Sequence, residues 1–276
     1  MQIPTIFSLT INQSELDDAM RIGFCYVRLP SEALIQKIDV CMQTARNFFG
    51  GSPEEKAKWR LKETLLPGER YEGYVVRSQS KNTNTVEQIF FEPDSPFGPY
   101  VPHASSIQAI DDAFLNMISL PLLHTVFMKA GLSQDDYADA AGNPACSLVF
   151  QCCPLTGEEK NKIRLNAHKD FGLITVLYFE EDGLEVNYQN QWIPIPHKPG
   201  HLVINFGNAL ELMTNGCCHS ALHRVTNATD NRVSMVYFVS PSPQRPVRNY
   251  INNKIIAETG QLFFKQQFAD YYQVDH

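Results

Sequence analysis

The chain has no concentrated positive charge. Its 23 Lys and Arg are outnumbered by 30 Asp and Glu, giving a net charge of −7, and no Lys/Arg run exceeds two residues. A groove that follows a phosphate backbone needs clustered cations, so nucleic acid is not an expected partner. No apolar run approaches the roughly 20 residues of a membrane span. Residues 1–10 have neither a basic start nor a long apolar stretch, so no secretory signal is expected and the cytoplasm is the expected compartment. The cysteines Cys25, Cys41, Cys146, Cys152, Cys153, Cys217 and Cys218 form no Cys-x-x-Cys pair and no zinc-ribbon spacing. They read as buried thiols in a reducing compartment. A nucleophilic cysteine would need a nearby base that the sequence does not reveal. The oligomeric state is open, with a monomer compatible.

What the chain does have is 276 residues, 43% hydrophobic and 19% charged. That is enough for one large core, or for one domain with a helical annex. Residues 14–21 read as a short helix and 23–29 as a strand. Ser31 caps a second helix, in which Leu34, Ile38, Cys41, Met42, Ala45, Phe48 and Phe49 recur at helical spacing. Gly50-Gly51 ends it, and Ser52-Pro53-Glu54-Glu55 starts another turn. Residues 65–84 are polar and loop-like. Residues 105–131 read as a long helix kinked at Pro121, with His124 packed in its buried stripe. Residues 135–144 read as a polar connection. Beyond them come short apolar stretches separated by turn signals: 147–151, 173–179, 184–188, 192–195, 201–206 and 235–239. That pattern suggests a double-stranded β-helix, the jelly-roll or cupin form. Residues 261–273 carry an aromatic stripe and read as a helix packed on the annex, or as a tail that covers the entrance of a site.

The residues with chemistry lie between 166 and 234. His168 and Asp170 are two apart, and in a strand such side chains share a face. An imidazole nitrogen and a carboxylate oxygen would then converge on one point, with His223 as a third donor from a neighbouring strand. Two His and one carboxylate leave one side of a metal open, which suits non-haem Fe(II) that must still bind O2 and an organic co-ligand. Arg232 and Ser234 have the same spacing after a short polar loop at 227–231. A guanidinium grips a carboxylate by two parallel hydrogen bonds, and a hydroxyl adds a third. A dicarboxylate such as 2-oxoglutarate would bridge metal and clamp. His168-x-Asp170 and Arg232-x-Ser234 are each the sole instance of their pattern in the chain. His197, His201 and His219 are the other histidines near enough in sequence to be a third ligand, and only His223 opens a His-Arg-Val run leading into Arg-x-Ser.

The ordered string His168-Lys-Asp-Phe-Gly-Leu-Ile-Thr-Val-Leu-Tyr178, Asp182-Gly-Leu-Glu-Val186, Trp192, Pro199-Gly-His-Leu-Val-Ile-Asn-Phe-Gly207, Thr214-Asn-Gly216, His223-Arg-Val225 and Arg232-x-Ser234 resembles the isopenicillin N synthase-like family. That family contains the Fe(II)/2-oxoglutarate dioxygenases and relatives that use iron and O2 without 2-oxoglutarate. The resemblance extends loosely over residues before 140, including Gly73-Tyr74 ahead of a strand at 86–91. It implies a mixed α/β chain with a mainly β core. Residues 1–140 would form a helical or mixed region roofing the site, 141–245 the jelly-roll core, and 246–276 a helical tail, all in one structural unit. It implies Fe(II), 2-oxoglutarate and O2 as cofactors, with metal ligands His168, Asp170 and His223 and co-substrate ligands Arg232 and Ser234. Arg70, Tyr71, Tyr74, Arg77, Lys81 and Phe171 become candidate contacts to a small-molecule substrate. The chain departs from the family at Cys153, where a tyrosine often precedes the proline matching Pro154, so one hydroxyl expected at the bound carboxylate is missing.

Three functions fit these residues. The first is a 2-oxoglutarate-dependent dioxygenase that hydroxylates, desaturates or cyclises a metabolite and releases succinate and CO2. The second is an oxidative cyclase that uses iron without 2-oxoglutarate, its Arg-x-Ser pair holding a substrate carboxylate. The third is a non-catalytic barrel for a small ligand. A buried His-Asp-His-Arg cluster without an ion or ligand is expensive to keep, which argues against the third.

Overall fold

A computed structural model of the protein describes residues 3–6, 13–60, 73–78, 85–91, 104–154, 163–226 and 232–272. A short strand β1 (Thr5–Ile6) and helix α1 (Gln13–Ile22) lead into β2 (Phe24–Arg28). The joint is Gly23, at φ +86°, where a Cβ would lie 2.8 Å from both the Ala221 Cβ and the His219 carbonyl. Only glycine serves both the left-handed backbone and the close approach. Helix α2 (Glu32–Phe49) is capped by the Ser31 hydroxyl, which accepts from the Leu34 N–H at 3.2 Å. It buries Leu34, Ile38, Cys41, Met42, Ala45 and Phe49. Helix α3 (Pro53–Ala57) opens with a reciprocal capping box between Ser52 and Glu55.

Two stretches differ from the sequence expectation. Strand β3 (Gly73–Ser78), paired with β4 (Thr85–Phe91), lies inside the stretch read as loop. Its short Tyr-Val-Val centre is β-forming, and the polar residues on either side conceal it. Residues 135–144, read as a connection, overlap helix α6 (Gln134–Ala141). A capping box between Ser133 and Asp136, together with its alanines, outweighs the polar composition. Between them, α4 (Ala104–Asp112) and α5 (Leu120–Lys129) are joined by a π-helical segment, Ala113–Ser119. The Leu120 N–H reaches the Leu115 carbonyl. The helix thus widens just before Pro121, which lacks an N–H and whose ring would meet the carbonyl four residues back.

The remaining strands are β5 (Ala145–Cys153), β6 (Ile163–His168), β7 (Ile174–Phe179), β8 (Leu184–Tyr188), β9 (Gln191–Pro194), β10 (His201–Phe206), β11 (His223–Thr226), β12 (Arg232–Ser240), β13 (Val247–Arg248) and β14 (Ile255–Ala257). Helix α7 (Asn208–Met213) follows β10, and α8 (Gly260–Tyr272) is the last element among the described residues. Helix α7, β13 and β14 have no counterpart in the sequence reading. The β8–β9 hairpin turns on Gln189 and Asn190, both at positive φ, the geometry of a tight two-residue turn.

One sheet has eight strands in the order β1-β2-β10-β7-β12-β5-β4-β3, and a second has four in the order β6-β11-β8-β9. Phe24, Tyr26, Phe179 and Val203 of the large sheet meet Leu184, Val186 and Val225 of the small one. On its other face the large sheet packs Phe150, Met235 and Tyr237 against helical residues such as Ile38 and Phe114. Burial on both faces explains why β12 reads as a continuous apolar run. Two opposed sheets with helices behind the larger form the expected double-stranded β-helix. Among the described residues no helix is long and apolar enough to cross a membrane.

Candidate metal centre

His168 is the last residue of β6 and His223 the first of β11, and they are direct partners across that antiparallel pair. Their ring centroids lie 4.3 Å apart. His168 Nδ1 lies 2.8 Å from the Asn166 carbonyl, and His223 Nδ1 lies 3.2 Å from that of Ala221. A carbonyl only accepts, so each Nδ1 carries the proton and each Nε2 keeps its lone pair. Asp170 stands beyond the end of β6, on the turn that follows. Its Oδ1 is 3.6 Å from His168 Nε2 and 3.7 Å from His223 Nε2. The convergence is therefore made by a turn and a cross-strand pair, a correction to the expectation that His168 and Asp170 share one strand face.

The other oxygen of Asp170 accepts from Thr175 Oγ1 at 2.5 Å and from Asn205 Nδ2 at 2.7 Å. Each ligand thus uses its far atom on the protein and turns its near atom inward, the arrangement by which outer partners orient metal ligands. Donor atoms of His168, Asp170 and His223 all lie within 4.8 Å of one another. Burial, reinforced by His223, pushes His168 down to about 4 despite Asp170 nearby. Burial alone would raise Asp170. The neighbouring His223 and His168 and the Thr175 and Asn205 hydrogen bonds outweigh it and hold the carboxyl below its ordinary value. A neutral imidazole and an ionised carboxylate are the forms that bind a cation.

Residues 144–241 match the 2OG-Fe(II) oxygenase superfamily. Homoarginine-6-hydroxylase 2-ODD-C23 of Glycine max is 35% identical over 291 residues, spanning 93% of this chain and 86% of that protein. The chain belongs to the 2OG-Fe(II) oxygenase superfamily. Thebaine 6-O-demethylase of Papaver somniferum is 39% identical over 104 residues, which are 37% of this chain and 28% of that protein. A full-length Neurospora crassa protein, solved in complex with alpha-KG, superposes with a TM-score of 0.79 at 18% identity, over 98% of this chain and 96% of that one, a likeness of fold. As a 2OG-Fe(II) oxygenase the protein is an Fe(II)- and 2-oxoglutarate-dependent dioxygenase acting on a small molecule.

The donor set fits the iron of a 2OG-Fe(II) oxygenase, because two imidazoles and one carboxylate leave positions for other ligands. A second observation fits the co-substrate. Arg232 is 1% exposed and its Nε donates to the Glu181 carbonyl at 3.1 Å, while its Nη2 is buried with no hydrogen-bond partner among the described residues. Its guanidinium lies over the Phe179 ring, 4.8 Å from the centroid. Burial lowers its pKa, against the pull of Cys153, Glu181 and Asp182. A buried guanidinium with an unused donor is costly unless an anion arrives. Ser234 is also buried and lies two residues along the same strand.

Cross-strand register places the rest of this face. Ser234 aligns with Phe179 and Gln151, Gln151 with Gln88, and Arg232 with Cys153. Gln88 Nε2 donates to Gln151 Oε1 at 2.9 Å, and Gln151 Nε2 lies 3.9 Å from Cys153 Sγ. Burial pushes the Cys153 thiol up. Beside this polar row Phe90, Val149 and Val236 form an apolar cluster with Val75, Leu177 and Phe238 against it.

Of the substrate candidates, Arg77 lies over Phe90, 6.0 Å from the ring centroid, on this inward face. Tyr74 has the opposite phase on β3. Its ring packs on Phe48 and its hydroxyl donates to Glu87 at 2.6 Å, on the helical side. Phe171 packs against Phe264 of α8, with ring centroids 6.5 Å apart. Arg70, Tyr71 and Lys81 lie outside the described residues. Among the other histidines, His201 bonds the Pro199 carbonyl and His219 bonds Glu211, while His197 uses its main-chain N–H on Asp182. His124 is half-buried, on Gln134 and the Tyr137 ring. Cys217 is exposed and Cys146 half-buried, so the expectation of uniformly buried thiols holds for the other five. Thr175 and Asn205 went without a role in the sequence reading. Each is a lone amide or small hydroxyl in an apolar strand, and a buried polar group needs a partner.

Proposed function

We propose that His168, Asp170 and His223 hold Fe(II), and that Arg232 with Ser234 binds the far carboxylate of 2-oxoglutarate. The reaction is oxidation of a metabolite C–H group by hydroxylation, desaturation or ring closure, with release of succinate and CO2. The observation that carries this reading is the joint one: three inward-turned donors, and a buried guanidinium on the large sheet's inner face whose Nη2 has no hydrogen-bond partner among the described residues. When bound, Fe(II) supplies the site at which O2 is activated at the expense of 2-oxoglutarate.

The chain's own residues do the positioning. The Asn166 and Ala221 carbonyls fix the imidazole tautomers, and Thr175 and Asn205 hold the Asp170 carboxylate. Arg232 and Ser234 give a dicarboxylate one orientation, by charge-assisted hydrogen bonds in a dry site. Cys153 stands beside Arg232 where the family often has a tyrosine, so Arg232 and Ser234 carry the clamp without that hydroxyl. The apolar row of Phe90, Val149 and Val236 excludes water and faces the organic substrate. Arg77 is the described residue best placed for a polar substrate group, with Arg70, Tyr71 and Phe171 as further contacts carried from the family pattern; Tyr74, turned to the helical side of β3, is not among them. Hydroxylation is favoured by the relative named for it, homoarginine-6-hydroxylase.

In this proposal residues 141–245 form the iron-binding core and 246–276 the tail of one unit, strands β1 to β4 of the region 1–140 extend the large sheet, and the enzyme works in the cytoplasm without nucleic-acid or membrane partners. The test is succinate release from 2-oxoglutarate with Fe(II) and O2, first uncoupled and then across a metabolite panel. The expected result is release that needs both iron and 2-oxoglutarate and vanishes in His168→Ala. Release by His168→Ala at the rate of the unsubstituted protein would refute the assignment.

A further inference from the structure

His168 and His223 are held by the β6–β11 ladder, whereas Asp170 is on a turn and needs another support. Helix α7 provides it. The Asn208 N–H donates to the Asp170 carbonyl at 2.7 Å, and the Ala209 N–H to the carbonyls of Phe171 and Gly172 at 3.1 Å each. One turn on, the Glu211 carboxylate spans both ligand-bearing segments. Its Oε2 accepts from Lys169 Nζ at 2.6 Å, and Lys169 is the residue between the first two ligands. Its Oε1 accepts from His219 Nδ1 at 2.9 Å and from the Ser220 N–H at 3.1 Å. The next residue, Ala221, supplies the carbonyl that orients His223.

We propose that Glu211 is a positioning residue of the metal centre: its carboxylate fastens the Asp170 turn to the segment that delivers and orients His223. The inference rests on His168, Asp170 and His223 being the metal ligands. Glu211 is too far along α7 to be a ligand itself and is absent from the cluster of convergent donors. It acts through Lys169 on one side and through Ser220 and Ala221 on the other. Loss of its charge releases both segments, and the three donors no longer hold one spacing. Outer partners of metal ligands are commonly worth 10–100-fold in metal affinity.

The experiment titrates Co(II), as an O2-stable probe, into metal-free full-length protein well below its melting temperature. The proteins are the unsubstituted chain, His168→Ala, Glu211→Gln, Lys169→Met and the double variant Glu211→Gln/Lys169→Met. Affinity and the visible d–d spectrum are read together. The expected result is Co(II) binding that His168→Ala abolishes, a loss of roughly tenfold in Glu211→Gln with an altered d–d spectrum, and a smaller loss in Lys169→Met. The double variant is expected to bind no worse than Glu211→Gln, because Lys169 acts through the same carboxylate. If Glu211→Gln does not fold, Lys169→Met decides alone: weakened binding at an unchanged melting temperature supports the proposal. Unchanged affinity and spectrum in the folded variants, or losses that add independently in the double variant, overturn it. No Co(II) binding by the unsubstituted chain would instead overturn the metal assignment, and this inference with it.

Discussion

Thr175 and Asn205 are cross-strand partners on β7 and β10, and both donate to the same oxygen of Asp170, at 2.5 and 2.7 Å. The sheet thereby holds a carboxylate that no strand carries, and leaves its other oxygen for a cation. Thr175→Val keeps the shape and β-branching and removes one of the two donors. Fe(II) affinity is expected to fall roughly tenfold with little change in fold, as for other partners of metal ligands. Anaerobic titration of the variant checks this, with circular dichroism as the control for folding.

Arg232 carries the second prediction. Removing one member of a buried charge pair commonly costs about 2–5 kcal/mol. Arg232→Ala is therefore expected to raise the apparent KM for 2-oxoglutarate by roughly 30-fold or more, with metal binding retained. Arg232→Lys keeps the charge without the planar fork and is expected to fall between the two. An unchanged KM in Arg232→Ala would show that the co-substrate binds elsewhere.

The third prediction concerns acid. Burial would raise the Glu211 carboxyl, but His219, Lys169 and the Ser220 N–H hold it down at about 2, against an ordinary value of 4.5. A depressed carboxyl stabilises the fold fully above its unfolded value, and that contribution fades as pH falls through the folded one. The metal-free protein should thus lose stability between about pH 4.5 and 2, and Glu211→Gln should lose less over that window. Thermal melts at stepped pH measure both slopes.

How far the sequence revealed this site depends on which physical rule positions each residue. Arg232 and Ser234 lie on one strand, so two-residue alternation found their shared face. His168 and His223 were legible from motif order rather than from strand periodicity: His168 opens the sole His-x-Asp, and His223 opens the His-Arg-Val run that leads into Arg-x-Ser. The structure brings Asp170 together with His168 and His223, but not by the strand alternation that its spacing suggests: β6 ends at His168, and hydrophobic periodicity does not register a turn that bends a side chain back. Tyr74 shows a different limit. In Gly-Tyr-Val-Val-Arg either phase of the strand presents an apolar face, and only pairing with β4 decides that Val75 and Arg77 face inward while Tyr74 faces the helices. Helix α6 was missed because a capping box rather than an apolar stripe stabilises it, and α7 because its apolar face, Ala209, Leu210 and Met213, covers little more than one turn, too short to register as a helical period. Glu211 was missed with α7, since its partners at 169 and 219–220 are far from it in sequence.

The account's central claim is tested most directly by adding Fe(II) to the metal-free protein with 2-oxoglutarate under anaerobic conditions, and following the visible charge-transfer band of the chelate. The account predicts a band that saturates at one iron per chain, is lost in His223→Ala, and in Arg232→Ala requires much more 2-oxoglutarate to appear. A band of full intensity in His223→Ala, or none in the unsubstituted protein, would contradict it.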